Sequence, residues 1–262
     1  MASAIHRQAA VGFDRGGADY ERGRPGYPEA AVQVLSTVLG LEPGRTVVDL
    51  AAGTGKLTRL LVETGARLVA VEPVAGMREQ LQRALPKVEV LEGTAEAIPL
   101  ATATADAVVV AQAFHWFDPP RAAAEIHRVL APDGGLGVIW NSWDESVAWV
   151  ARMQAIVHEH RGDTPQQATS RWQAELDASG LFTPLVDRRF HNLVLGDLDV
   201  LEARVGSTSY ISALAPAERD PLLRRVREVL ESDPTTRDKP ELEMPYETRL
   251  VCRRRRDGGP QL

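Results

Sequence analysis

Asp49, Ala51, Gly53 and Gly55 stand at alternate positions within Thr46-Val47-Val48-Asp49-Leu50-Ala51-Ala52-Gly53-Thr54-Gly55-Lys56-Leu57-Thr58, and a carboxylate, Glu72, closes the next apolar run, Leu68-Val69-Ala70-Val71. Glycines at 53 and 55 let a backbone approach a ligand where Cβ atoms would collide. A carboxylate ending the second strand of a doubly wound sheet, roughly 20 residues on, is placed to meet a ribose. Together these residues describe a site for a nucleotide-like ligand. Two phosphate-binding patterns fail on spacing. A P-loop needs glycine five positions before its Gly-Lys pair and Ser or Thr after it; Leu50 and Leu57 occupy those places. The dinucleotide pattern Gly-x-Gly-x-x-Gly needs a third glycine where Thr58 stands.

What remains, Asp49-x-Ala51-x-Gly53-x-Gly55 with Glu72, resembles motif I and its acidic partner in class I S-adenosylmethionine-dependent methyltransferases. Gly93-Thr94-Ala95-Glu96-Ala97-Ile98-Pro99-Leu100 and the segment from Asp106 to Phe117 are similar to the adenine loop and fourth strand of that family's small-molecule branch, the methyltransferase type 11 and trans-aconitate methyltransferase-like proteins. Arg128 to Trp140 resembles the helix end, turn and fifth strand that follow. The resemblance runs from about residue 10 to residue 143 and fades beyond. Upstream, Tyr20-Glu21-Arg22-Gly23-Arg24-Pro25-Gly26-Tyr27-Pro28 is similar to an amino-terminal lid motif.

The resemblance implies an α/β fold: a doubly wound, mostly parallel, seven-stranded Rossmann-like sheet with an antiparallel edge hairpin and a helical cap. It implies S-adenosyl-L-methionine as cofactor and methyl transfer to a small-molecule acceptor. On the cofactor side, Glu72 would accept from both ribose hydroxyls, beside the turn of Ala51, Gly53 and Gly55. Pro73 and Met77 would line the adenine, and Thr94, Ala95 and Glu96 would read its edge, with Gln112 completing that side. Two positions depart from the pattern: Thr94 replaces the family's aspartate, leaving a hydroxyl to accept from an exocyclic amine, and Ala51 replaces its first glycine. Asp49 is read as ordering the turn. Tyr20 and Arg24 would hold the methionyl carboxylate from the lid, or merely tether the arm.

On the acceptor side stand Tyr27, His115, Trp116 and Trp143. His115 and Trp116 fall just past the carboxyl end of the fourth strand, where ligands dock in open α/β sheets. Three roles remain for His115: a general base near neutral pH, a pocket contact, or, with Trp116, a wall. Trp143 reads equally as pocket or core, Trp140 as core. Methyl transfer from a sulfonium is an in-line displacement that depends chiefly on positioning and exclusion of water, so a dedicated acid or base is not required.

Composition narrows the function classes. The net charge of −6 argues against general affinity for a nucleic-acid backbone. No run approaches the roughly 20 apolar residues of a membrane helix, and Met1-Ala2-Ser3-Ala4-Ile5-His6 lacks a signal-peptide pattern, so a cytoplasmic protein is expected. One cysteine, Cys252, leaves no intrachain disulfide and no thiolate zinc cluster. His158 and His160, two apart on an expected helix, face different sides, and no metal requirement is expected. Lysine occurs only at 56, 87 and 239, so the run Arg253 to Arg256 is read as general arginine usage at the solvated end of a strand.

The elements that must position these residues follow from hydrophobic period. Strands are expected at Thr46 to Leu50, Arg67 to Val71, Val88 to Leu91, Ala105 to Ala111 and Gly135 to Trp140, with a helix from Ala122 to Leu130 stopped by Pro132 and Gly134-Gly135. Further helices are expected at Ser146 to Arg161, Arg171 to Ser179, Val200 to Val205 and Pro216 to Leu230. Leu185 to Leu195 and Glu243 to Cys252 read as the edge hairpin. The chain is thus divided into a lid (1–30), a cofactor-binding core (31–145), a helical cap including the edge strand (146–240), a final core strand (241–254) and a tail (255–262). A non-methylating enzyme or a noncatalytic ligand-binding protein on the same fold would keep Gly53 and Glu72 and stays an alternative.

Overall fold

The computed structural model describes residues 25–162 and 171–256. Tyr20, Arg24 and most of the expected lid lie outside the described residues.

The sheet forms where β-branched and apolar residues run almost unbroken, the pattern of strands buried on both faces. Strands β1 (Thr46–Leu50), β2 (Arg67–Val71), β3 (Glu89–Leu91), β4 (Ala105–Ala111), β5 (Leu130–Trp143), β6 (Phe182–Gly196) and β7 (Leu242–Arg255) join in the order β3-β2-β1-β4-β5-β7-β6. The parallel register sets Val48 beside both Val69 and Val108, and Val110 beside Val138. The chain moves outward from β1 in one direction and resumes at β4 on its other side. The carboxyl ends of β1 and β4 therefore flank a switch point, the crevice that open α/β sheets use for ligands. The sheet is mostly parallel with an antiparallel edge hairpin, as expected.

Successive strand residues face opposite sides and feed two cores. On one side Val47, Ala70, Val109 and Ile139 pack with Leu35 of α1 (Glu29–Leu39), Leu57 and Leu61 of α2 (Lys56–Leu61) and Leu81 of α3 (Ala75–Ala84). On the other, Val48, Val69, Val108 and Val138 pack with Ile126 and Val129 of α4 (Pro119–Val129). Helix α1 ends where Gly40 adopts the left-handed conformation, φ 64°.

One boundary differs from the sequence reading. Pro132 and Gly134-Gly135 do not form the turn that stops α4; the helix ends at Val129 and Leu130 already pairs with Ala105. The irregular residues are absorbed inside β5, with Asp133 at φ 64° and a register shift between Ala105 and Ala107. The arginine run also differs. Arg253 is buried and paired with Asp177, and the Arg255 guanidinium donates to the Leu130 carbonyl.

The chain divides into two compact units. The sheet unit comprises the described parts of Tyr27–Asn141, Pro165–Phe190 and Thr248–Leu262. It includes α6 (Arg171–Ala178), grouped with the cap in the sequence reading, whose Trp172 and Leu176 join the core containing Ile126. The second unit draws on Ser142–Thr164 and His191–Glu247. Its helices α5 (Ala148–His158), α7 (Leu198–Gly206), α8 (Ser209–Ser212) and α9 (Pro216–Ser232) surround Trp149, Met153, Leu201, Met244 and Tyr246. Leu222, Val226 and Leu230 of α9, four apart, supply its buried stripe.

Candidate functional site

The turn after β1 is built for close backbone approach. Ala51 leaves the strand at φ 57°, its N–H donating to the Val71 carbonyl at 2.7 Å. Gly53 follows at φ 58° and Gly55, the residue before α2, at φ 85°. Among the described residues, a Cβ on Gly53 would come within 4 Å of Met77 Sδ alone, at 3.9 Å, without a clash. Gln112, at the carboxyl end of β4, also takes a positive φ of 58°. Two non-glycine residues in this costly region, at neighbouring strand ends, mark a place where the chain is constrained by more than local preference.

Glu72 is 3% exposed. Its Oε2 accepts from the Gly53 N–H at 2.9 Å and its Oε1 from the Val74 N–H at 2.8 Å. Burial pushes its carboxyl above the usual range, against the two N–H donors and the Arg78 charge. Asp49, 1% exposed, accepts from the Thr58 hydroxyl at 2.5 Å through Oδ2. Burial raises it to about 6. Its Oδ1 is buried with no hydrogen-bond partner among the described residues. The reading of Asp49 as the residue that orders the turn thus acquires a specific bond, to the first turn of α2.

The loop after β3 holds Thr94, Ala95 and Glu96. Thr94 and Ala97 exchange main-chain bonds and close a tight turn around Ala95, which is buried. Glu96 Oε1 accepts the Asp118 N–H at 2.9 Å, tying the turn to the start of α4. Pro73, after β2, gives its carbonyl to Arg78 at 2.7 Å. Met77 is buried beside the Gly53 turn.

At the ends of β4 and β5, Gln112, Phe114, His115, Ile139, Trp140 and Trp172 line a small, half-open cleft. Gln112 Nε2 donates to the Asn141 carbonyl at 3.3 Å, and the Asn141 side chain accepts from the buried Thr248 hydroxyl at 2.5 Å. Trp172 lies edge-on to Trp140 at 5.4 Å and 5.0 Å from the Phe114 ring. His115 and Trp116 share the single 3₁₀ turn Phe114–Trp116, their rings 4.7 Å apart.

The sheet unit thus brings together Ala51, Gly53, Gly55, Glu72, Pro73, Met77, Thr94, Ala95, Glu96, Gln112, His115 and Trp116 at its strand ends. Tyr27 is in the same unit but packs with the α1 side of the core. Trp143 belongs to the second unit, stacked on Tyr246 at 4.1 Å and edge-on to Trp149 at 6.3 Å. Sequence reasoning missed Trp172 in the cleft, for which no local signal exists. It also missed Arg78 and Arg128 as loop supports, although the Glu125-x-x-Arg128 spacing on α4 was visible.

Comparison with known proteins finds methyltransferases. A methyltransferase-domain family profile matches residues 48–138. An uncharacterized methyltransferase of Mycobacterium tuberculosis is 39% identical over 252 residues, spanning 94% of this chain and 96% of that protein. A methyltransferase-like protein of Schizosaccharomyces pombe is 31% identical over 232 residues, 88% and 90% of the two chains. Among solved structures, a protein of Anaeromyxobacter dehalogenans described as a type II methyltransferase superposes with TM-score 0.65 at 23% identity, covering 89% of this chain and 97% of its own. A geranyl diphosphate methyltransferase solved in complex with S-adenosylmethionine gives TM-score 0.51 at 16% identity, covering 87% and 85%. The fold is that of the class I methyltransferases. The chain belongs to the class I S-adenosylmethionine-dependent methyltransferase family.

Proposed function

We propose that the protein binds S-adenosyl-L-methionine over the ends of β1 and β2 and transfers its methyl group to a small-molecule acceptor. The observation that carries the reading is the buried Glu72 carboxylate bonded to the Gly53 turn. The residues present fit such a group. An ionised carboxylate offers about four lone-pair positions, and among the described residues main-chain donors take two of Glu72's, leaving capacity for two ribose hydroxyls. With no side chain of its own at Gly53, the turn leaves its backbone for a ligand to approach beside Met77.

In this reading Ala51, Gly53 and Gly55 cradle the ligand, Pro73 and Met77 flank the adenine, and the Thr94–Glu96 turn faces its edge, with Ala95 acting through its main-chain amide. Tyr20 and Arg24 are the candidates for the methionyl carboxylate. S-adenosyl-L-methionine supplies an electrophilic methyl carbon on a sulfonium. The protein's own part is to hold an acceptor atom in line with it and exclude water. Gln112 stays on the cofactor side, and His115, lining the cleft, is the candidate to contact that acceptor and to take its proton where one must leave. Trp116 completes the proposed acceptor contacts within the sheet unit. The acidic balance and single, buried cysteine suit a small-molecule enzyme of the reducing cytoplasm.

The test is product analysis: the protein is incubated with methyl-labelled cofactor and fractionated metabolites. The reading expects label in a low-molecular-mass product. Cofactor binding without transfer to any fraction would favour a noncatalytic or non-methylating protein.

A further inference from the structure

Two arginines outside the motif residues each grip two carbonyls of a loop that follows a strand, Arg78 after β2 and Arg128 after β3. Arg78, on α3, donates through Nη1 to the Glu72 carbonyl at 2.9 Å and the Pro73 carbonyl at 2.7 Å, and through Nη2 to Glu92 at 2.7 Å. The loop after β2 is thereby tied to the loop after β3. Arg128, on α4, donates to the Leu100 carbonyl at 2.8 Å and the Ile98 carbonyl at 2.9 Å. Its Nε and Nη2 also meet the two Glu125 oxygens, each at 2.7 Å, and Glu125 Oε2 accepts the Ile98 N–H at 3.0 Å. Three main-chain atoms of the Ile98–Leu100 segment are therefore fixed to α4, directly after the turn that carries Thr94 and Ala95.

We propose that Arg78 and Arg128 are positioning residues with separate tasks: Arg78 sets the ribose-side loop bearing Glu72 and Pro73, and the Arg128–Glu125 pair sets the turn that discriminates the base. The inference rests on the cofactor reading above. Its physical basis is geometric. Loops gripped only by solvent would have to be ordered by the ligand, at a cost in affinity. A planar guanidinium reaches two carbonyls and a carboxylate at fixed angles, which a lysine ammonium cannot do. Both pairs are partly exposed, with side-chain exposures of 19% for Arg78 and 33% for Arg128, so their value lies in direction more than in ion-pair strength.

The two tasks predict different losses. Titration calorimetry with S-adenosylhomocysteine and with S-inosylhomocysteine, which carries an oxo group in place of the exocyclic amine, reads affinity and base discrimination together. Arg78→Met should weaken both ligands about 10-fold and leave their ratio unchanged. Arg128→Met should shrink the ratio at least about 5-fold, and Arg128→Lys should not restore it. Glu125→Gln, which keeps an acceptor for the Ile98 N–H but loosens the guanidinium, should shift the ratio in the same direction by less. A purely structural role would lower the melting temperature without moving the ratio in protein still folded at the titration temperature. Wild-type affinities and ratio in both methionine variants, or an unchanged ratio in Arg128→Met, would overturn the proposal. Failure of the wild-type protein to bind S-adenosylhomocysteine would instead overturn the cofactor reading itself.

Discussion

The Gly53 main-chain N–H donates to Glu72 Oε2 across 2.9 Å, so the carboxylate expected to hold a ligand also holds the turn that would cradle it. Strand β2 delivers Glu72 and strand β1 delivers Gly53, and their parallel register, Leu50 beside Val71, makes the meeting inevitable. In the proposed complex, ligand and turn would share one side chain.

That sharing predicts a double effect for Glu72→Ala. Loss of charge-assisted bonds to a buried ribose should weaken S-adenosylhomocysteine binding by roughly 2–4 kcal/mol. The orphaned Gly53 and Val74 N–H groups should also cost about 1–3 kcal/mol of stability. Calorimetric titration and thermal unfolding read the two separately; full affinity in a folded variant would refute the assignment of Glu72.

Asp49 predicts a pH dependence of folding. Its folded value of about 6 lies above the ordinary 3.8, so between those values the folded chain keeps a proton that the unfolded chain has lost. Stability from this group is then full below about pH 4, falls as pH rises and levels off above about 6, a span on the order of 3 kcal/mol. Glu72, also raised by burial, slopes in the same direction. Urea unfolding from pH 4 to 7 should therefore show a shallower decline for Asp49→Asn than for wild type, and equal slopes would count against a buried, ionising Asp49.

Two glycines should respond differently to alanine. At Gly93 a Cβ would lie 2.6 Å from Pro99 Cδ and 2.9 Å from Val71 Cγ1, so Gly93→Ala should destabilise by about 1–3 kcal/mol through crowding. At Gly53 the added carbon meets Met77 Sδ at an ordinary van der Waals 3.9 Å, and it is the positive φ that opposes it, at a cost of about 1–2 kcal/mol. Gly53→Ala should nonetheless lose more cofactor affinity than its stability loss suggests. A variant with unchanged affinity would mean that no ligand approaches that backbone.

Much of this was legible in the chain because parallel strands announce themselves as apolar runs. β1, β2 and β4 match their expected bounds, and Glu72 fell at a strand end by simple counting. The start of β5 was not legible: Pro132 and Gly134-Gly135 look like a turn, and only pairing of Leu130 with Ala105 extends the strand through them. Trp172 was equally hidden, since its place beside Trp140 depends on contact between residues 32 apart with no shared period. Arg253 shows the opposite error, an apparent surface charge made internal by Asp177.

His115→Asn separates wall from base. With its ring against Trp116 and its backbone in a short 3₁₀ turn, the account expects a loss of methyl transfer below about 10-fold with cofactor affinity kept. A loss near 10³-fold with intact binding would instead identify proton removal as its work.

The central claim is tested most directly by a crystal structure with S-adenosylhomocysteine. The account predicts both ribose hydroxyls within about 2.6–3.2 Å of the Glu72 carboxylate, the adenine beside Met77 and Ala95, and the sulfur directed toward the cleft of Gln112 and His115. Ligand density away from the β1 and β2 ends, or a ribose that does not touch Glu72, would contradict it.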